Sequence, residues 1–308
     1  MTSINSKFIL LTLLIFFLGS ISLKAQDDLL KELDKEQDTQ KDFVSATFKG
    51  TRLINGHSVE TKKKKELDFL ISHRFGTLNS GFDDLFGLDA SNIRLALEYG
   101  VTDFINLGVG RSSFEKNYDG FLKVRVLRQS QGAKSMPISL TAFASVVIKT
   151  LKSTDPEADE SFSDRMFYSY QLLLARKFNE RLSLQLMPTL IHRNQVPAQT
   201  LDNDIFALGV GGRFKFTKRM SLNLEYYYQF NDIIQGVNQN VLAIGIDIET
   251  GGHVFQLQFT NAQAMIEKGF IAETTGDFFE GDIHFGFNIS RTFQLGKSSK
   301  KTKAINNE

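Results

Sequence analysis

The chain contains no cysteine and no tryptophan, and it carries almost no net charge: 36 Lys and Arg stand against 35 Asp and Glu, giving +1 at pH 7. Without cysteine there can be no disulfide framework, thiolate metal site, iron–sulfur cluster or cysteine nucleophile. Without a basic surplus, nucleic acid is excluded as the main partner. Long apolar runs are scarce as well, with a single window near the start. What remains is a 308-residue chain of 42% hydrophobic and 23% charged residues with 28 Phe and 7 Tyr, too apolar for a disordered protein.

The one apolar window reads as an export signal. Lys7 precedes an unbroken run from Phe8 to Leu18 (FILLTLLIFFL), followed by the small and polar residues Gly19 to Ser22 and by Leu23-Lys24-Ala25. A spanning helix needs about 20 apolar residues, so this core is too short. It fits the central region of a secretory signal peptide over 1–25, cut after Ala25, the alternative being an uncleaved anchor helix. No cysteine follows it, so lipid anchoring is not expected. Residues 26–65 then form a charged N-terminal arm (DDLLKELDKEQDTQ from Asp27 to Gln40) and a segment with some strand character, TFKGTRLING (47–56). Residues 27–65 as a whole are expected in the periplasm or folded into a lumen as a plug.

From Glu66 onward the hydrophobic period is two. Leu67, Phe69, Ile71, His73 and Phe75 alternate with Asp68, Leu70, Ser72 and Arg74. The same rhythm runs through Ile93–Tyr99, Ile105–Gly110, Leu222–Phe230 and Ile283–Ser290. Successive strand side chains point to opposite faces, so each run has one greasy and one polar face. Twelve such runs are predicted: 66–76, 91–100, 103–112, 118–129, 137–150, 164–178, 181–193, 203–217, 219–231, 239–250, 252–261 and 282–294. Most are longer than the strands of soluble sheets and long enough for a tilted membrane strand. Their connections alternate long and short, least clearly at 113–117 against Ser130–Lys134. The long connections are rich in carboxylates, among them Asp83, Asp84, Asp89, Asp155 and Asp277. The short turns and the tail 296–308 are basic, with Lys218, Arg219, Lys300 and Lys301. Sorted loops and an even strand count predict an all-β fold, a transmembrane antiparallel up-and-down β-barrel of about 12 strands over 66–295. A soluble sandwich or barrel is the alternative.

In a membrane barrel lipid covers the greasy face and the polar face lines the lumen. Lumen-lining candidates are therefore Arg74, Arg94, Glu98, Lys123, Arg125, Arg213, Lys215, Glu225 and Asp247. Phe75, Tyr99, Phe206, Phe216, Tyr228, Phe230, Phe285 and Phe293 fall near strand ends, where interfacial aromatics belong.

Four stretches carry a family resemblance: TFKGTRLINGHSVETKKKKELDFLISHRFG (47–76), DDLFGLDASNIRLALEYGVTD (83–103), LGVGRSSFEKNYDGFLKVRVLRQS (107–130) and TGGHVFQLQFTNAQAM (250–265). They resemble the β-barrel family catalogued as domain of unknown function 5777, found in Bacteroidetes-type bacteria. The resemblance implies a barrel in the outer membrane and brings no activity with it. A basic tail after Phe293 departs from the aromatic end usual in such barrels.

Chemistry has little footing. His57, His73, His192, His253 and His284 are the histidines, and no His-x-Ser, Gly-x-Ser-x-Gly or His-Glu-x-x-His occurs. Asp83-Asp84 and Asp155-Pro-Glu-Ala-Asp159-Glu160 are oxygen clusters without EF-hand spacing, and Lys62–Lys65 reads as a solvated linker. No enzyme, cofactor or metal is expected, an outer-membrane hydrolase being the least favoured reading. The expected role is a narrow channel or binding barrel for small polar solutes, in contact with outer-membrane lipid, lipopolysaccharide and the assembly machinery. The alternative is a closed docking barrel in which Arg94 or Arg125 pairs with Glu98 or Glu225.

Overall fold

The computed structural model describes residues 41–151, 161–196, 202–231 and 238–296. The expected signal 1–25, the arm 26–40, the acidic Asp155–Glu160 stretch and the tail from residue 297 lie outside the described residues.

Each alternating run becomes one barrel strand. In chain order these are β1 (Glu66–Thr77), β2 (Ser91–Gly100), β3 (Ile105–Ser112), β4 (Asn117–Leu127), β5 (Ser139–Lys149) and β6 (Met166–Lys177). They continue as β7 (Leu182–Arg193), β8 (Asp204–Lys215), β9 (Met220–Gln229), β10 (Val241–Thr250), β11 (His253–Thr260) and β12 (His284–Gln294). Every strand pairs antiparallel with its chain neighbours, and β12 pairs with β1 from His284↔Thr77 to Gln294↔Glu66, which closes the barrel. Closure matters because open sheet edges cannot be left in lipid. Among the described residues no helix is long and apolar enough to cross a membrane, which says nothing of a barrel, since barrels cross with strands.

The side-chain sorting is the reverse of a soluble core. On β2, Ile93, Leu95 and Leu97 are exposed outward while Arg94, Ala96 and Glu98 are buried. The pairings Ile71↔Leu95 and Ser72↔Arg94 carry the same split onto β1. The rim aromatics agree: Phe206, Phe216, Tyr228, Phe230 and Phe293 are exposed, and Phe75 stacks on Phe285 with ring centroids 5.7 Å apart.

Three features depart from the sequence expectation. The connection between β4 and β5 spans 128–138, longer than the Ser113–Lys116 connection opposite it, so loop sorting reverses at this pair. Lys41–Phe43 and Ser130–Gly132 form a two-stranded antiparallel ribbon of their own. The long 261–283 connection holds a buried helix, α1 (Glu267–Ala272), in a chain read as strands and loops alone.

On the outer wall Pro188 sits in mid-strand on β7. The β6–β7 pairing runs to Gln171↔Thr189 and resumes at Leu174↔Leu186, skipping the residues opposite Pro188, which has no N–H to donate. A shallow apolar concavity between Leu122, Leu172 and Phe206 marks the place on the lipid-facing side.

Candidate functional site

Twelve strands enclose more space than their own side chains fill, unlike the smallest barrels. Two chain segments occupy it. Residues 44–61, immediately before β1, fold back into the lumen from the short-turn rim; α1 with its flanks descends from the long-loop rim. Phe48, Leu53, Ile54 and Val59 of the first segment are buried, as are Ala262, Met265, Ile266, Phe270 and Ile271 of the second. Each such Val, Leu, Ile, Met or Phe side chain taken from water contributes about 1.5–3 kcal/mol.

Burial of this backbone demands partners for its polar groups, and the barrel wall supplies them. The Glu225 carboxylate on β9 accepts the N–H of Ile54 at 3.1 Å, of Asn55 at 3.2 Å and of Gly56 at 3.2 Å. Gln185 accepts the Val59 N–H at 2.7 Å and donates to the His57 carbonyl at 2.8 Å. Gln256 and Asn288 donate to the carbonyls of Leu53 (2.6 Å) and Ile54 (3.1 Å). Thr141 donates to the Val59 carbonyl at 2.8 Å. Segment 44–61 is thus stitched to β5, β7, β9, β11 and β12.

The nine lumen candidates distribute as follows. Arg74 donates to Asn55 Oδ1 at 2.6 Å. Lys123 donates to the Glu60 carbonyl at 2.5 Å and the Thr51 carbonyl at 3.4 Å, with Glu98 at 3.9 Å. Arg125 reaches the Thr61 carbonyl at 3.4 Å and Arg213 the Ala46 carbonyl at 2.9 Å. Asp247 accepts from Gln256 at 2.7 Å and Glu98 from Asn106 at 2.7 Å. Lys215, near the short-turn end of β8, is half-buried. The ion pairing suggested for a closed barrel is corrected here. Arg94 is held by Asp119 through Nε–Oδ1 at 2.9 Å and Nη2–Oδ2 at 2.5 Å, while Arg125 and Glu225 bond to the backbone of 44–61. Asp119 is nearest because β3 between them is thin at Gly110, where a Cβ would meet both groups.

The wall is shaped for the segment it holds. A Cβ on Gly211 would strike Leu53, and one on Gly56 would strike the Tyr227 hydroxyl. His57 packs between Phe121 and Phe143, its centroid 4.6 and 4.3 Å from theirs. The Lys62–Lys65 run, expected as a loose linker, is tied to β1: Lys62 pairs with Asp68 at 3.0 Å.

Above α1 lies a vestibule of about 820 Å³, walled by the tops of β1 and β12 and by the 78–90 and 261–283 connections. Asp84, Asp89, Asn261, Gln263, Glu273 and Asp282 present polar groups to it. At its side, Lys268 bonds Glu115 (2.8 Å) and Glu273 (2.7 Å), and Lys149 bonds Glu115 at 2.9 Å. Burial alone would raise the Glu115 carboxyl, but Lys268 and Lys149 outweigh it and hold it down at about 2. Among the described residues no group of three or more His, Asp and Glu converges as a metal site.

The residues missed from sequence were Arg52, Asn55, His57, Glu267 and Phe270. One signal was available. Leu53-Ile54 and Ala264-Met265-Ile266 are apolar yet belong to no spanning strand, so something had to cover them.

Among solved structures the fold is similar to the NanC porin, at 9% identity, TM-score 0.48, and coverage of 74% of this chain and 100% of that one. It is similar to the KdgM porin at 9% identity, TM-score 0.42 and coverage of 75% and 99%. The COG4313 outer membrane channel from Pseudomonas putida F1 aligns at 12% identity, TM-score 0.44 and coverage of 76% and 97%. No sequence match is found among curated proteins. The family described as membrane bound beta barrel domain (DUF5777) matches residues 48–293, from the buried segment to the end of β12. An inside-out closed barrel and that match agree: this chain belongs to the DUF5777 family of membrane-bound β-barrels.

Proposed function

We propose that the protein is a plugged binding barrel for small polar solutes. Solute is received in the vestibule at the long-loop rim, and passage requires segment 44–61 to move. One observation carries this reading. Four of the nine lumen charges, Lys123, Arg125, Arg213 and Glu225, bond to the backbone of a chain segment that no strand pairing ties to the wall, and Arg74 bonds to its Asn55 side chain, so these five become free lumen groups once it leaves. A wall built only to be rigid would pair those charges with one another. Carboxylates at the vestibule favour cations, or neutral polyols, over anions. The apolar band contacts outer-membrane lipid and lipopolysaccharide, and the assembly machinery inserts the barrel. No catalytic step enters the reading: His73 stacks on Phe287 at 5.0 Å, and His192 pairs with Asp204 at 2.7 Å on the rim.

The Arg94–Asp119 pair favours a second reading, a closed docking barrel. Conductance of the refolded protein in planar bilayers with a KCl gradient separates the two. The parent is expected to be nearly silent. A variant with 47–60 replaced by a Gly-Ser linker, its folding verified by heat-modifiable mobility, is expected to show discrete cation-preferring steps. Silence from the folded linker variant would refute the channel reading and leave the docking barrel.

A further inference from the structure

Helix α1 touches both the vestibule and segment 44–61. Toward the vestibule stand Gly269 and, just past the helix end, Glu273. Toward the plug, Glu267 bonds Arg52 at 3.2 Å and stands 3.7 Å from His57 Nε2. Phe270 packs edge-on to Tyr227 at 5.3 Å, and the Tyr227 hydroxyl abuts Gly56. Two inward segments, one from each rim, therefore meet in mid-lumen across a buried charge contact.

We propose that occupancy of the vestibule and docking of the plug are coupled through α1, an inference that rests on reading the vestibule as a solute site. Helix α1 is close-packed in its seat. Gly269 lies so close to Ala264 that a Cβ would clash, and every residue of the helix is buried. Close-packed contacts of this kind exchange between discrete arrangements. A solute that needs the space α1 occupies lifts Glu267 from Arg52. Each is then a buried charge without its partner, and that state is relieved by the plug leaving as well. The coupling is reciprocal, so undocking the plug must loosen α1 and alter the vestibule.

Hydrogen exchange of the full-length refolded protein, read on peptides spanning 48–60 and 262–274, tests this. E267A is expected to speed exchange in 48–60 about tenfold. In an R52A background the same change should add less than twofold, because the contact is already gone. Unchanged protection of 48–60 in E267A overturns the proposal, as does an equal acceleration in both backgrounds. A second arm fills the vestibule: T275C, unique in a cysteine-free chain, is alkylated with maleimides of increasing size. Faster exchange in both peptides with adduct size supports the coupling. Acceleration confined to 262–274, or none in either, overturns it. These readouts are independent of conductance, so an uncoupled plug whose removal still opens a pore would sink this inference alone.

Discussion

Replacing Glu225 with alanine should release the plug while leaving the barrel folded. The carboxylate accepts three consecutive backbone N–H groups at 3.1–3.2 Å, from Ile54, Asn55 and Gly56, in a fully buried setting. Charge-assisted hydrogen bonds contribute about 1.5–3 kcal/mol each, and they share one acceptor, so the sum falls short of three independent bonds. Removing the carboxylate also strands three buried donors at about 1–3 kcal/mol apiece unless water reaches them. A net cost of about 3 kcal/mol to the docked state is a conservative outcome, equivalent to roughly a hundredfold in the undocked population. The chain's lack of cysteine provides the assay. Ser58 is fully buried, so S58C is shielded while the plug is docked and reacts with maleimide only from the undocked state. Labelling of E225A/S58C should run roughly a hundredfold faster than S58C under conditions where reclosing outpaces reaction. Glu225→Gln keeps one carbonyl acceptor and should fall between the two. A rate within twofold of the parent for E225A/S58C would refute the claim that this carboxylate anchors the plug.

Three further outcomes are expected. Leu95, exposed at mid-strand on β2, should tolerate no charge: Leu95→Arg should cost about 2–4 kcal/mol when folding into vesicles is followed by denaturant titration, and a neutral effect would contradict a lipid-facing exterior. Gly211→Leu removes the space that Leu53 uses and should raise S58C labelling with little change in barrel unfolding; equal loss of both would mean the segment is integral to the barrel. Acidification should loosen the cap over the lumen. Because Glu115 is held at about 2 against an ordinary 4.5, its contribution is present above pH 4.5 and erodes as pH falls toward 2. Allowing for its partial exposure, the loss is at most about 2 kcal/mol. Glu273, the second partner of Lys268, runs the other way, since burial raises its carboxyl. Exchange in 262–274 should differ between parent and Glu115→Gln at pH 6 and converge near pH 2.

The barrel was legible in the sequence to within a few residues at most strand ends. Alternation such as Ile93-Arg94-Leu95-Ala96-Leu97-Glu98 permits only one assignment of faces, and Gly251-Gly252 permits little but a tight turn. The lumen was half legible. That Arg94, Lys123 and Glu225 lie on the polar face followed from their register, but what each one touches did not. Arg94 is paired with Asp119, a residue two strands away through the pairings Ser112↔Arg94 and Gly110↔Asp119, and that register is a property of the sheet. The helix at Glu267–Ala272 escaped because six residues are too few to set a helical period against the surrounding strand pattern.

By itself, then, the sequence determined the inverted two-faced strand, its repetition and the number of crossings, because side-chain alternation is local and each strand carries it independently. Only the tertiary structure decided that the lumen is occupied. A twelve-strand wall leaves space whose filling depends on distant partners: Gly56 against Glu225, Leu53 against Gly211, Arg52 against Glu267. None of these pairs is close in the chain, and each side alone is an ordinary residue. The fit between them exists only after the barrel has closed around the segment.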